Sequence, residues 1–128
     1  MTSLHWIAAA AFAVLSTGPA LAAGSSPLGN WQVTSGEARY TVVSCGGGRQ
    51  LCAKLTWLRS DARTDDNLAL LNHYVVKGAQ PAGTGKWAGN VLLNGHSYDG
   101  VMQMVSKNFM TLKGCAGVLC QTYEFTRI

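Results

Sequence analysis

The stretch that most constrains this chain runs from Cys45 to Trp57, CGGGRQLCAKLTW. Two cysteines flank a glycine-rich turn, and the residues on either side of it alternate. From Glu37 to Cys45 one face carries Tyr40, Val42 and Ser44, and the other Arg39, Thr41, Val43 and Cys45. From Leu51 to Leu58 one face carries Leu51, Ala53, Leu55 and Trp57, and the other Cys52, Lys54, Thr56 and Leu58. Successive side chains of a strand point to opposite faces. Pairing Cys45 with Cys52 across the turn therefore sets Tyr40 opposite Trp57 and Val42 opposite Leu55 on an apolar face. Val43 then faces Lys54, and Thr41 faces Thr56, on a mostly polar one. A half-buried antiparallel pair requires that division. The pattern returns from Gly114 to Phe125, GCAGVLCQTYEF. Pairing Cys115 with Cys120 sets Leu112 against Tyr123 and Met110 against Phe125, with Lys113 facing Thr122 and Thr111 facing Glu124. Of the three pairings that four cysteines allow, alternation selects Cys45–Cys52 and Cys115–Cys120, both on the polar face near turns. Zinc held by all four is the rival. The cysteine spacings do not match the usual close pairs of zinc sites, and no metal is expected.

Disulfides imply an oxidising compartment, and the beginning of the chain agrees. Ile7 to Leu15 is a short apolar run, followed by Ser16, Thr17, Gly18 and Pro19. Ala20-Leu21-Ala22 then offers small residues where a signal peptidase reads. Residues 1–22 are expected to be a signal peptide, cut after Ala22 or Ala23, although residues 1–6 hold no Lys or Arg. The run is too short to span a bilayer, so no integral span is expected after cleavage; an uncleaved membrane anchor is the rival. The remaining 23–128 reads as a single domain, periplasmic or secreted. It keeps all ten basic and all six acidic side chains, a net charge of +4. The bases are scattered and never form a run, whereas a nucleic-acid groove would cluster them with aromatics. No nucleic-acid partner is expected, only a mild attraction to anionic envelope surfaces.

In order, strands are expected at Trp31–Thr34, Glu37–Cys45, Leu51–Arg59, Tyr74–Lys77, Trp87–Leu93, His96–Ser106, Phe109–Cys115 and Leu119–Arg127. Ser60–Asn72 lacks strand character and is expected to hold one helical turn around Leu68–Leu71, capped by Asp66 or Asn67. Gly78–Lys86 reads as a Gly/Pro loop, a mobile rim. Asn94-Gly95 is the strongest hairpin signal. About eight short antiparallel strands with almost no helix predict an all-β, up-and-down barrel. An eight-stranded interior is just wide enough to be filled by side chains or to hold one small ligand.

With these elements placed, the chain resembles the bacterial exported family labelled domain of unknown function 2147. The resemblance covers nearly all of 23–128. It rests on Gly29-Asn30-Trp31, on Cys45 with Leu51-Cys52 and Trp57, on Asp66-Asn67, on Lys86-Trp87-Ala88-Gly89, and on Tyr98 with Gly100. Leu112-Lys113-Gly114-Cys115, Cys120-Gln121-Thr122 and Phe125-Thr126-Arg127 complete it. Phe125 stands where a Trp is common, and Ala53 where a Gly is common. The resemblance implies a lipocalin-like barrel and brings no established activity, substrate or catalytic residues.

Several groups bear on chemistry. Asp61, Asp65, Asp66 and Asn67 offer oxygens for calcium, but their spacing lacks the regular alternation of a calcium loop, and Asp and Asn also cap and turn. His73 and His96, the histidines beyond the leader, stand near no nucleophile motif, and no catalytic residue is expected. Met102, Met104 and Met110 could hold cuprous copper or simply fill the core; no cofactor is expected. The interior face is expected to hold Tyr40, Val42, Leu55, Trp57, Met102, Met104, Met110, Leu112, Tyr123 and Phe125. Of these, Tyr40, Leu55, Trp57, Met102, Met104 and Tyr123 are the expected ligand-binding residues. The expected function is a non-catalytic binding module taking a small apolar or amphipathic ligand inside the barrel, with a mouth rimmed by Gly78–Lys86 and Trp87. A protein-interaction module with a filled barrel, an envelope partner or an inhibitor that makes contact through the loops Ser60–Asn72 and Gly78–Lys86, is the alternative. An enzyme on envelope polymers is a third reading; it needs a cleft joining His96, Asp99 and a hydroxyl.

Overall fold

The computed structural model describes residues 26–93 and 95–128. The expected leader and Asn94 lie outside the described residues. Eight strands follow one another: β1 (Gly29–Val33), β2 (Ala38–Cys45), β3 (Gln50–Leu58), β4 (Tyr74–Pro81), β5 (Lys86–Leu93), β6 (His96–Ser106), β7 (Phe109–Ala116) and β8 (Leu119–Arg127). Each pairs antiparallel with its sequence neighbours. β8 returns to β1 through Trp31↔Arg127, Gln32↔Thr126 and Val33↔Phe125. The result is the closed up-and-down barrel that the strand pattern predicts, in which every strand has a partner on both sides.

Antiparallel connectivity sorts the connections to two ends. One end collects Ser26–Leu28, the turns 46–49, 82–85 and 107–108, and the residue after Arg127. It is sealed. Trp31 is fully buried there, and its indole Nε1 donates to the Pro27 carbonyl at 2.8 Å. The Arg127 guanidinium lies 4.3 Å from the Trp31 ring centre. It donates to the carbonyls of Leu28 (2.7 Å), Ser26 (2.6 Å) and Lys107 (3.1 Å). A planar fork of donors suits three divergent carbonyls. The other end, the mouth, collects 34–37, the long connection 59–73, Gly95 and 117–118.

Both expected disulfides are present, Cys45–Cys52 and Cys115–Cys120. The β7–β8 register is the expected one, with Cys115 directly opposite Cys120. The β2–β3 register is not. Tyr40 faces Leu55, Val42 faces Ala53 and Cys45 faces Gln50, so the disulfide crosses the pair diagonally. Gly46–Gly48 take positive φ angles of 56°, 81° and 90° and fold into a tight 3-10 turn, which lets pairing resume at Gln50. Only glycine enters that region without penalty. A slip of two residues keeps every side chain on its face, so the faces survive although the partners change.

A bulge then reverses the alternation. Arg39 pairs with Trp57 while Tyr40 pairs with Leu55, leaving Thr56 without a partner. Its hydroxyl donates to the Arg39 carbonyl at 3.2 Å. Beyond this extra residue the faces exchange. Leu58 is buried, and Trp57, expected inside, turns to the outer wall with the Arg39 guanidinium 4.4 Å from its ring centre.

Two connections also differ from expectation. β4 runs on to Pro81, because Gly78 (φ 87°) absorbs an irregularity in the ladder; a Cβ there would stand 2.6 Å from the Gln50 Oε1. Only 82–85 remains as a tight turn. The helical turn is α1 (Asp65–Leu70), and its cap is Thr64, whose hydroxyl accepts from the Asn67 N–H at 3.3 Å. Thr64 lies one residue before the two aspartates, which supply first-turn charge instead.

Candidate functional site

The long connection at the mouth folds over the barrel as a lid. The Asn67 amide donates to the Ala62 carbonyl at 2.9 Å, tying α1 to the 3-10 turn Ser60–Ala62. Asn72 takes a left-handed φ of 66° and donates to the Leu55 carbonyl at 2.7 Å, returning the chain to the sheet. Ala62, Leu70 and Leu71 pack down onto the core. Arg59 pins the near side. It holds both Asp61 carboxylate oxygens, at 2.6 and 2.9 Å, and donates to the Ser35 carbonyl at 3.2 Å. That contact holds the Asp61 carboxyl below the usual carboxylate range.

Three cavities meet at Leu93. The first, about 30 Å³, lies on the barrel axis among Trp31, Val42, Val76, Met102 and Leu112. It has room for little more than a water molecule and lacks the polar partners a water needs. The second, about 100 Å³, sits under the lid among Glu37, Leu55, Asn67, Leu70 and Tyr123. The third, about 200 Å³, is a groove outside it among Tyr98, Ala116, Leu119, Gln121 and Tyr123. Tyr40 and Phe125 stand between the first two and meet edge to face, with ring centres 5.6 Å apart. Burial pushes the Tyr40 phenol up to about 12, with smaller contributions from Glu37 and Tyr123. Tyr40 therefore presents a neutral hydroxyl at ordinary pH. The Tyr123 hydroxyl donates to Gln121 Oε1 at 2.6 Å.

Of the expected ligand-binding residues, Tyr40, Leu55, Met102 and Tyr123 line this string of cavities. Met104 is buried opposite Met110 and lines none of the three; Trp57 is on the outer wall. The space opens at the opposite end from Gly78–Lys86 and Trp87, so the expected rim is corrected to the lid, Leu93 and the β7–β8 hairpin. Leu93 and Glu37 were missed as site residues. Leu93 could have been found by carrying the alternation of Trp87, Gly89 and Val91 one step further.

Other groups fall apart in space. Asp61 is turned to Arg59, and the Asp66 carboxylate lies beside Gly95. Among the described residues no three His, Cys, Asp or Glu side chains come together as metal ligands. His73 and His96 are both exposed. His96 sits with Tyr98, ring centres 6.4 Å apart, whereas Asp99 points to the opposite face of β6 and lines an open outer hollow with Val101 and Lys113. Strand alternation thus separates the two groups that the enzyme reading needed.

The family model for DUF2147, described as an uncharacterized protein conserved in bacteria, matches residues 29–127. The chain belongs to this family. The match runs from the first residue of β1 to the last of β8, so the DUF2147 unit and the closed barrel coincide. No curated protein and no solved structure matches the chain. Two disulfides point to an oxidising compartment for this DUF2147 barrel. Among its described residues no helix is long and apolar enough to cross a membrane.

Proposed function

We propose that this protein is an exported, non-catalytic binding module that takes a small apolar or amphipathic ligand at its mouth, with the ligand tip entering under the lid. The observation that carries this reading is the meeting at Leu93 of an apolar axial cavity with two spaces of mixed, mainly apolar lining, beside Tyr40 and Tyr123. A drug-sized ligand usually occupies about 300–1,000 Å³. The axial cavity is far smaller, so the ligand's bulk lies in the groove. Apolar walls with a few polar groups fix orientation.

The test is a titration with the neutral fluorescent probe N-phenyl-1-naphthylamine. Saturable binding is expected, weakened about tenfold or more by Leu93→Trp, which fills the junction. Thermal melts report whether that variant still folds. Absence of saturable binding, or a folded Leu93→Trp that binds like the parent, overturns the reading. A second reading, a protein partner at the same end, is favoured by Val118 and Leu119, 96% and 76% exposed at the hairpin tip. In that case Val118→Ser would abolish capture of the partner without changing probe binding.

A further inference from the structure

The charges, scattered in sequence, are sorted by the fold. Antiparallel connectivity brings Arg49, Lys86, Lys107 and Arg127 to the sealed end, with Lys77 on its flank. No acidic side chain lies in the segments that form this end. Four of the six acidic residues, Glu37, Asp61, Asp65 and Asp66, lie in the mouth connections, and Asp99 and Glu124 are on the barrel wall. Arg49, Lys77, Lys86 and Lys107 are exposed, and among the described residues none has an ion-pair partner. Exposed apolar side chains share this end of the barrel. Leu28 is 40% exposed, and Val105, on the outward face of β6, 50%. Ser26, whose carbonyl accepts from Arg127, lies at this end as well.

We propose that the sealed end is a docking face for a bilayer surface rich in anionic, phosphate-bearing lipids. Clusters of four to eight basic residues are attracted to such surfaces, and the attraction decays within a Debye length. Basic groups around a few apolar tips match the headgroup layer, which offers phosphates outside and acyl chains just beneath. The acidic mouth turns away from the same surface, so the orientation is set by repulsion as well as attraction. The proposal is independent of what the mouth binds.

The test is co-sedimentation of the protein, recovered from an exporting host, with phosphatidylcholine vesicles that contain or lack about one-third phosphatidylglycerol. Binding to the anionic vesicles alone is expected, with release at ~1 M salt, where the Debye length shrinks to ~3 Å. Each basic residue near the surface changes the partition about fivefold. The pair Lys86→Gln/Lys107→Gln should therefore weaken it about 25-fold. The pair Lys54→Gln/Lys113→Gln removes the same charge from the barrel wall and should weaken it several-fold less. Thermal melts confirm that both pairs fold. Equal losses for the two pairs, equal binding to both kinds of vesicle, or no binding at all would each overturn the proposal. So would release by inorganic phosphate at constant ionic strength, which would mark a free-anion site instead.

Discussion

Tyr40 shows how one side chain ties stability to chemistry. Its phenol stands between the axial cavity and the lid chamber, and burial is the main cause of its rise to about 12 from the ordinary 10.0. The folded chain therefore keeps this proton over a pH range in which an unfolded chain loses it. The associated stability is intact below pH 10 and disappears as the pH rises toward about 12. Two units correspond to an upper limit of about 2–3 kcal/mol. Tyr40 should give a late step, near pH 12, in a tyrosinate absorbance titration, and Tyr40→Phe should remove it. If Tyr40→Phe leaves that step in place, the phenol is not the shielded group described. The interior positions of Tyr40 and Phe125 were both legible from alternation; their edge-to-face contact was not. Trp57 was not legible, because a bulge is one inserted residue with no composition of its own. Thr56 looks like any outward strand threonine until its ladder partner is missing.

The two disulfide hairpins look alike but do different jobs. They close loops of similar size, with cysteines separated by seven and five positions. Chain-entropy arguments give each about 2 kcal/mol. Cys45→Ser/Cys52→Ser and Cys115→Ser/Cys120→Ser should therefore lower the urea midpoint by similar amounts. Their effects on probe binding should differ. Cys45–Cys52 sits at the sealed end, whereas Cys115–Cys120 holds Ala116, Leu119 and Gln121 in the groove wall. Only the second pair should weaken N-phenyl-1-naphthylamine binding, by about threefold or more for a wall that loses its staple. Equal effects would place the ligand elsewhere. The β7–β8 register was readable because its cysteines face each other directly. The β2–β3 register was not, because glycines at positive φ tightened the turn by two residues. The lid was underread for a similar local reason. Thr64 caps α1 from outside the acidic cluster, and the cluster drew the reading to itself.

At the scale of the whole molecule, strand count and order were legible, since period-2 alternation broken by turn residues is a strong local signal. The ends of the barrel were not. Which loops share an end depends on the number of strands between them, so the sorting of charge and the side on which the cavities open emerge only once the sheet closes. The proposed export is tested at this scale. A mass spectrum of protein from an exporting host, taken without reductant, should show a chain beginning after Ala22 or Ala23. Its mass should be four hydrogens below that of the reduced form, for the two disulfides. A mass that keeps residues 1–22 would overturn the leader reading, and one without the hydrogen loss would place the chain in a reducing compartment. The β1–β8 seam has a consequence for how such a chain is made. Val33 meets Phe125, and Arg127 meets Trp31, across nearly the whole length of the domain. A chain emerging from its first residue onward can build hairpin after hairpin, yet it stays an open ribbon until its last strand arrives. Until that strand arrives, the side chains meant for the interior stay open to solvent.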